Sequence, residues 1–208
     1  MLNLTNLRES LCGVISDIHG KGWAPGTGGN FSVVLQPQPL TLLMSPSGVD
    51  KGQVRASDLI EVNAQGEVIA GAGKASAETQ LHLAIVQTTG AGAVLHGHSV
   101  FNTLLSRHFE AQGKLAIAGY EMLKGLNGMT THAATVDLPI FSNHQDMVYL
   151  AQQVMPQLAS APYGFLLAGH GLYAWGSTLF EARRHLEIWE FLLEVTYREL
   201  TLNPLKSV

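Results

Sequence analysis

The chain has 208 residues, of which 46% are apolar and only 13% charged, with a formal charge of -4 and a pI near 6.1. This length suits one full-sized domain and is short for two, so residues 1–208 are read as a single domain, and the apolar content excludes a disordered chain. An acidic balance with no Lys/Arg run excludes a nucleic-acid protein; no stretch approaches the roughly 20 apolar residues of a membrane-spanning helix; and the single Cys12 excludes an internal disulfide.

Met1 to Thr5 lacks the basic and apolar regions of a secretory signal, so a soluble, cytoplasmic protein is expected. So few charges suggest that part of the surface is buried in an oligomer. Apolar residues at Leu4, Leu7, Leu11, Val14, Ile15 and Ile18 follow helical spacing and predict a first helix ending near Gly20. Asn30 to Leu35 and Leu40 to Ser45, separated by Pro37 and Pro39, predict an antiparallel hairpin, and a second one joins Leu59–Val62 to Glu67–Ile69. Ser76 is placed as the N-cap of a helix from Ala77 to about Thr89. A buried strand over Ala93 to His96 follows, then a helix from near Ser99, a strand from Thr135 to Phe141, and a helix from His144 to Leu158 opened by Asn143 with Asp146 three residues on. The chain closes with strand Tyr163 to Ala168, a turn at Gly169 to Gly171, strand Leu172 to Trp175 and a helix from Thr178 to about Leu200. The order predicts an α/β fold, a layered domain with a central, mainly antiparallel β-sheet flanked by helices.

His96-Gly97-His98 closes an apolar strand, where side chains two apart point to one side and can grip one metal ion. By itself the pattern equally suits two hydrogen-bonded histidines. His170, in a glycine-flanked turn, adds a third imidazole, and three neutral imidazoles leave a zinc coordination position open, as a catalytic site requires. The ligand types also suit manganese or iron. Gly26 to Asn30, Ser45 to Gly48 and Lys74 to Glu78 could offer N–H groups and hydroxyls to a phosphate, though ordinary turn chemistry explains each loop equally well.

Two carboxylates compete for acid/base work. Glu78 lies in a helix's first turn, where a carboxylate is favoured for structural reasons alone. Glu121 sits in the apolar, glycine-bounded segment Gly119 to Gly125, where an acid has no evident solvent-facing purpose and a shifted pKa would suit proton transfer. Glu181, Arg183, Arg184, Glu187, Glu190, Glu194 and Arg198 are read as a solvated or intersubunit salt-bridged helix face, and Trp175, Trp189 and Phe191 as core or interface.

Gly-Thr-Gly-Gly-Asn-Phe-Ser, Ser-Pro-Ser-Gly, Ser-Ala-Glu-Thr-Gln-Leu-His, His-Gly-His-Ser and Gly-His-Gly, in that order from about Leu7 to Tyr197, resemble the class II aldolase and adducin family. Ser45 to Val49, Glu121 to Gly125 and His170 to Gly176 look most like its dehydratases acting on a phosphorylated ketose. The resemblance implies one zinc ion per subunit on His96, His98 and His170, and a phosphate surrounded by Gly28, Gly29, Asn30, Ser45, Ser47, Gly48 and Ser76. It also implies a homotetramer with sites at subunit boundaries. In the family's dehydratases the acid/base matches Glu121, and in its aldolases the catalytic carboxylate matches Glu78. A sugar-phosphate aldolase or pentulose-phosphate 4-epimerase is therefore the alternative. A non-catalytic adducin-like interaction domain is a third reading, but it has no need of three histidines.

Overall fold

The computed structural model describes residues 4–202. The ends of the 1–208 domain reading, and Met1 to Asn3 of the signal reading, lie outside the described residues. Helix α1 (Leu4–Gly20) buries Leu11, Val14, Ile15 and Ile18, the stripe its spacing predicts. Strands β1 (Asn30–Pro37) and β2 (Leu40–Met44) form the first hairpin, and β3 (Ile60–Asn63) and β4 (Val68–Ala70) the second. Then come α2 (Thr79–Thr89), β5 (Ala93–Gly97), α3 (Val100–His108), β6 (Lys114–Ile117), β7 (Val136–Phe141), α4 (Met147–Leu158), β8 (Gly164–Leu167), β9 (Gly171–Gly176) and α5 (Leu179–Leu202).

The nine strands of the described residues join one sheet in the order β4-β3-β2-β1-β5-β9-β8-β7-β6. Every neighbouring pair is antiparallel except β7 with β8. Successive residues of a strand face opposite sides, and here both sides are covered. Ala93 and Leu95 of β5 pack with Leu11 and Ile15 of α1 and with Leu186 and Leu193 of α5. Val94, between them, packs with Leu81 and Ile85 of α2 and with Leu150 and Val154 of α4. Strands β5, β8 and β9 consequently read as unbroken apolar runs rather than as alternation, and each core Leu contributes about 1.5–3 kcal/mol. The edges differ from this centre. All three residues of β4 are exposed, while β6 alternates exposed and buried positions and sets Lys114 2.6 Å from Asp137 of β7.

Several predicted boundaries move. Helix α2 begins at Thr79 rather than Ala77, because Ser76 Oγ accepts from the N–H of Glu78 at 3.2 Å and holds the preceding turn instead of capping the helix. Helix α4 begins at Met147, where Asp146 accepts from the N–H groups of Val148 and Tyr149, so Asn143 is not its cap. Strand β6 and a 3-10 turn over Glu121–Gly125 were not anticipated. Trp175 and Trp189 are buried as expected, whereas Phe191 is 44% exposed.

Candidate metal centre

Strand β5 carries His96 as its next-to-last residue, paired with Asn30 of β1 on one side and Tyr173 of β9 on the other. His98 follows just past the strand end. There the Ser99 hydroxyl accepts from the N–H of Asn102 and opens α3. His170 stands in the turn between β8 and β9, which Gly169 completes at φ 63. Glycine at 171 is a steric requirement: a Cβ there would lie 2.4 Å from the Gly97 carbonyl and 2.8 Å from ring atoms of both His96 and His98. Gly28 has the same function on the other side, 2.7 Å from His98 Nδ1 by the same measure. Gly171→Ala is expected to destabilise the fold by about 2 kcal/mol and to weaken metal binding about tenfold or more, read by thermal unfolding and by chelator competition.

The ligand nitrogens of His96, His98 and His170 all lie within 4.8 Å of one another. His96 Nδ1–H donates to the Leu172 carbonyl at 2.9 Å, which leaves Nε2 as a lone pair facing the centre. His98 Nε2 is only 2.7 Å from that atom. Burial, the largest influence on both rings, drives the pKa of His96 well below its usual value and that of His98 down to about 4. Neutral imidazoles with converging lone pairs, a buried His170 Nδ1 without a hydrogen-bond partner, and no thiolate nearby make a donor set that fits a divalent metal.

Glu78 completes the cluster, with Oε1 3.0 Å from His170 Nε2 and 3.6 Å from His96 Nε2. Burial raises its pKa, but the nearby His96 ring, the hydrogen bond with His170 and the His98 ring together outweigh that and bring it down to about 2. Asn30 Nδ2 donates to its other oxygen. Behind His96, the fully buried Tyr173 stacks at 4.0 Å between centroids. Neither Tyr173 nor this use of Asn30 had a signal in the sequence.

Glu121 departs from its expectation. Its side chain is 68% exposed rather than enclosed in an apolar setting, because only Leu123 of that 3-10 turn is buried. Lys124 hydrogen-bonds it and pulls its pKa down, with His132 3.6 Å away. Its partners in the chain are thus not the histidine cluster.

Of the three loops, Ser47 and Gly48 are exposed and Ser76 is half-buried, whereas Ser45 is buried with Oγ accepting from the N–H of Phe31. Lys51 was not anticipated. It is 1% exposed, and its ammonium donates to the carbonyls of Thr27, Pro46 and Val49. Burial lowers its pKa, partly opposed by Asp50.

Glu190, read as part of a solvated or intersubunit salt-bridged helix face, is instead 2% exposed within the subunit. Its Oε1 accepts at 2.8 Å from Asn102 Nδ2, which also donates to the Gly97 carbonyl, and Oε2 has no partner. Burial raises its pKa to about 7, against the lowering effect of nearby Ser99 and of the Asn102 hydrogen bond. The folded state therefore binds more protons than the unfolded state between about pH 4.5 and 7, and stability falls as pH rises through that window. Glu190→Gln mimics the protonated form, so it should gain about 2 kcal/mol over wild type at pH 8 and nothing at pH 4, measured by urea unfolding at both. Equal midpoint differences at the two pH values would contradict this assignment.

A cleft of about 440 Å³ opens beside His98 and is lined by Val100, Thr103, Leu104 and Arg107, with Val100 76% and Leu104 46% exposed. A larger cleft, of about 750 Å³, lies at the other ends of β5 and β9 and contains none of the candidate site residues.

Residues 9–197 match the family described as Class II Aldolase and Adducin N-terminal domain. The chain is similar to the methylthioribulose-1-phosphate dehydratase of Picosynechococcus sp., at 44% identity over 95% of this chain and 94% of that protein. The enzyme of the same name from Pectobacterium carotovorum is 48% identical over 84% and 85%. Among solved structures, an L-fuculose-1-phosphate aldolase from Thermus thermophilus aligns with a TM-score of 0.77 at 25% identity, covering 96% and 98%. A sugar-phosphate aldolase from Thermotoga maritima aligns at 0.72 with 19% identity, covering 96% and 95%.

Proposed function

The chain belongs to the class II aldolase and adducin family, and from that membership and its three-histidine centre we infer that it dehydrates 5-methylthioribulose 1-phosphate. It is a metal-dependent hydro-lyase of methionine salvage, and its product is 2,3-diketo-5-methylthiopentyl 1-phosphate. The observation that carries this reading is the 44% identity, spread over 95% of the chain, with a dehydratase of that name.

His96, His98 and His170 hold the metal, which we take to be zinc, one per subunit. When bound, it supplies Lewis-acid polarisation of the substrate's carbonyl and neighbouring hydroxyl oxygens. Glu121 takes the proton from C3; the electron pair of that C–H bond becomes the C3–C4 double bond as the C4–O bond breaks. The hydroxyl leaves as water with a proton returned by the same carboxyl, and the enol tautomerises to the diketone. Ser47, Gly48 and Ser76 receive the phosphate with Gly28 and Gly29, while Asn30 and Ser45 brace the loops from behind. A single domain working in the cytoplasm suits the lone Cys12.

The exposure of Glu121 motivates the quaternary proposal. The enzyme is a homotetramer in which Glu121 of one subunit reaches the histidine centre of its neighbour, across a boundary that covers Val100 and Leu104 beside His98. Assembly also supplies the apolar enclosure that an exposed carboxylate lacks.

One observation favours a second activity: Glu78 is already at the histidines. A carboxylate there could take the proton of the C4 hydroxyl, which breaks the C3–C4 bond and gives a retro-aldol outcome. A product assay on zinc-loaded protein separates the two readings. Mass spectrometry should find a diketone lighter than the substrate by one water; a three-carbon ketose phosphate without diketone would sink the dehydratase reading.

A further inference from the structure

We propose that Lys51 is the positioning residue of the phosphate subsite, the buried cation that fixes the Gly26–Asn30 and Ser45–Gly48 loops in an anion-receiving shape. The proposal rests on the reading of those loops as that subsite. Three features of the chain carry it.

The ammonium contacts are all backbone carbonyls, from Thr27 at 3.1 Å, Pro46 at 3.4 Å and Val49 at 3.2 Å. An ammonium has three N–H donors and no acceptor, so these three oxygens use all of them. Carbonyl oxygens aimed at a bound phosphate would repel it, and here one from each loop, with a third from Val49 just past the second, is drawn inward to one cation. Among the described residues no carboxylate hydrogen-bonds this ammonium, and Asp50 acts on it only through its charge.

The second feature is reach. Thr27 is 24 residues from Lys51 in sequence, and this bridge adds to the pairing of Ser45 with Phe31, just past the first loop, where Ser45 N–H donates to the Phe31 carbonyl and Ser45 Oγ accepts from the Phe31 N–H. Ser47 N–H donates instead to the Lys74 carbonyl at 2.9 Å, which brings in the third loop, ahead of Ser76. The third is location. Gly28, next to the Thr27 carbonyl, abuts His98, and the positive charge of Lys51 is among the influences on that ring. The cation therefore lies where the phosphate end of a substrate has to be registered against the metal centre.

The test uses zinc-loaded, full-length protein, with inorganic phosphate as the probe beside the phosphorylated ketose. Lys51→Met and Lys51→Gln remove the charge, the second keeping N–H donors. Both should raise KM and the inhibition constant of inorganic phosphate about tenfold or more, in parallel, with zinc content unchanged. A structural lysine alone would lower the melting temperature and leave both constants in place, and that result overturns the proposal. So does a loss of zinc that accounts for the lost activity. If wild type shows no phosphate inhibition at all, the subsite reading itself fails; if wild type is inhibited and the variants equally so, only the role of Lys51 fails. Should neither variant fold, hydrogen exchange on wild type decides: protection by phosphate across both 26–30 and 45–49 supports the bridge, and protection confined to 74–78 refutes it.

Discussion

Replacing His98 with Ala should strip the protein of its metal and lower turnover about a thousandfold or more. Three imidazoles whose ligand atoms lie within 4.8 Å of one another are the candidate donors, and Glu78 stands beside them, 3.0 Å from His170. Removing His98 leaves two nitrogen ligands, below the three that hold catalytic zinc. Losing about 4 kcal/mol of charge stabilisation in the transition state corresponds to that rate factor. Metal analysis of the purified variant, alongside turnover with added zinc, checks it. A variant that retains one equivalent of zinc and wild-type turnover would remove His98 from the site. The fold should survive, since His98 lies past the end of β5 and contributes nothing to the sheet's core.

Glu121→Gln is expected to cut turnover by about a hundredfold to ten-thousandfold, the range for loss of a general acid–base group, while zinc stays bound. Because the side chain is exposed, the substitution should cost less than about 0.5 kcal/mol of stability. The variant also tests the quaternary proposal. Neither Glu121→Gln nor His98→Ala homotetramers should be active, but mixed tetramers reassembled from both would place an intact Glu121 against an intact histidine centre at about a quarter of the sites. Recovered activity on mixing is the expected result. Inactivity of demonstrably mixed tetramers would mean that Glu121 serves its own subunit or none.

What the sequence disclosed followed the range of the interactions involved. The histidines of β5 and of the β8–β9 turn were legible because two residues on one strand and a glycine-flanked turn are local geometry. Glu78 was legible as a first-turn residue. Its contact with His170 was not, since the two residues lie 92 positions apart in the chain. Burial of ionised groups escaped for a related reason. Nothing beside Lys51 announces that its partners include a carbonyl 24 residues away, and Glu190 looks like its charged neighbours on α5 until Asn102 of α3 packs onto it. Glu121 misled because a run of apolar neighbours does not show which of them face inward; here Leu123 does and Met122, at 39% exposure, does not. Strand β6, with only Leu115 and Ile117 facing inward, was too short to register as alternation.

The two ends of the sheet bear on how copies of this chain can meet. An open sheet ends in strands with unpaired N–H and C=O groups, a template for another chain's backbone. At one end β4 offers three exposed residues following a register shift against β3, and at the other β6 is four residues long with Lys114 at its start. Both are short for recruiting a strand from another molecule. Self-association of the folded protein is therefore directed to helix and loop surfaces, where side-chain shape decides the partner, and the backbone ladder that would lead towards fibrils is denied a starting edge.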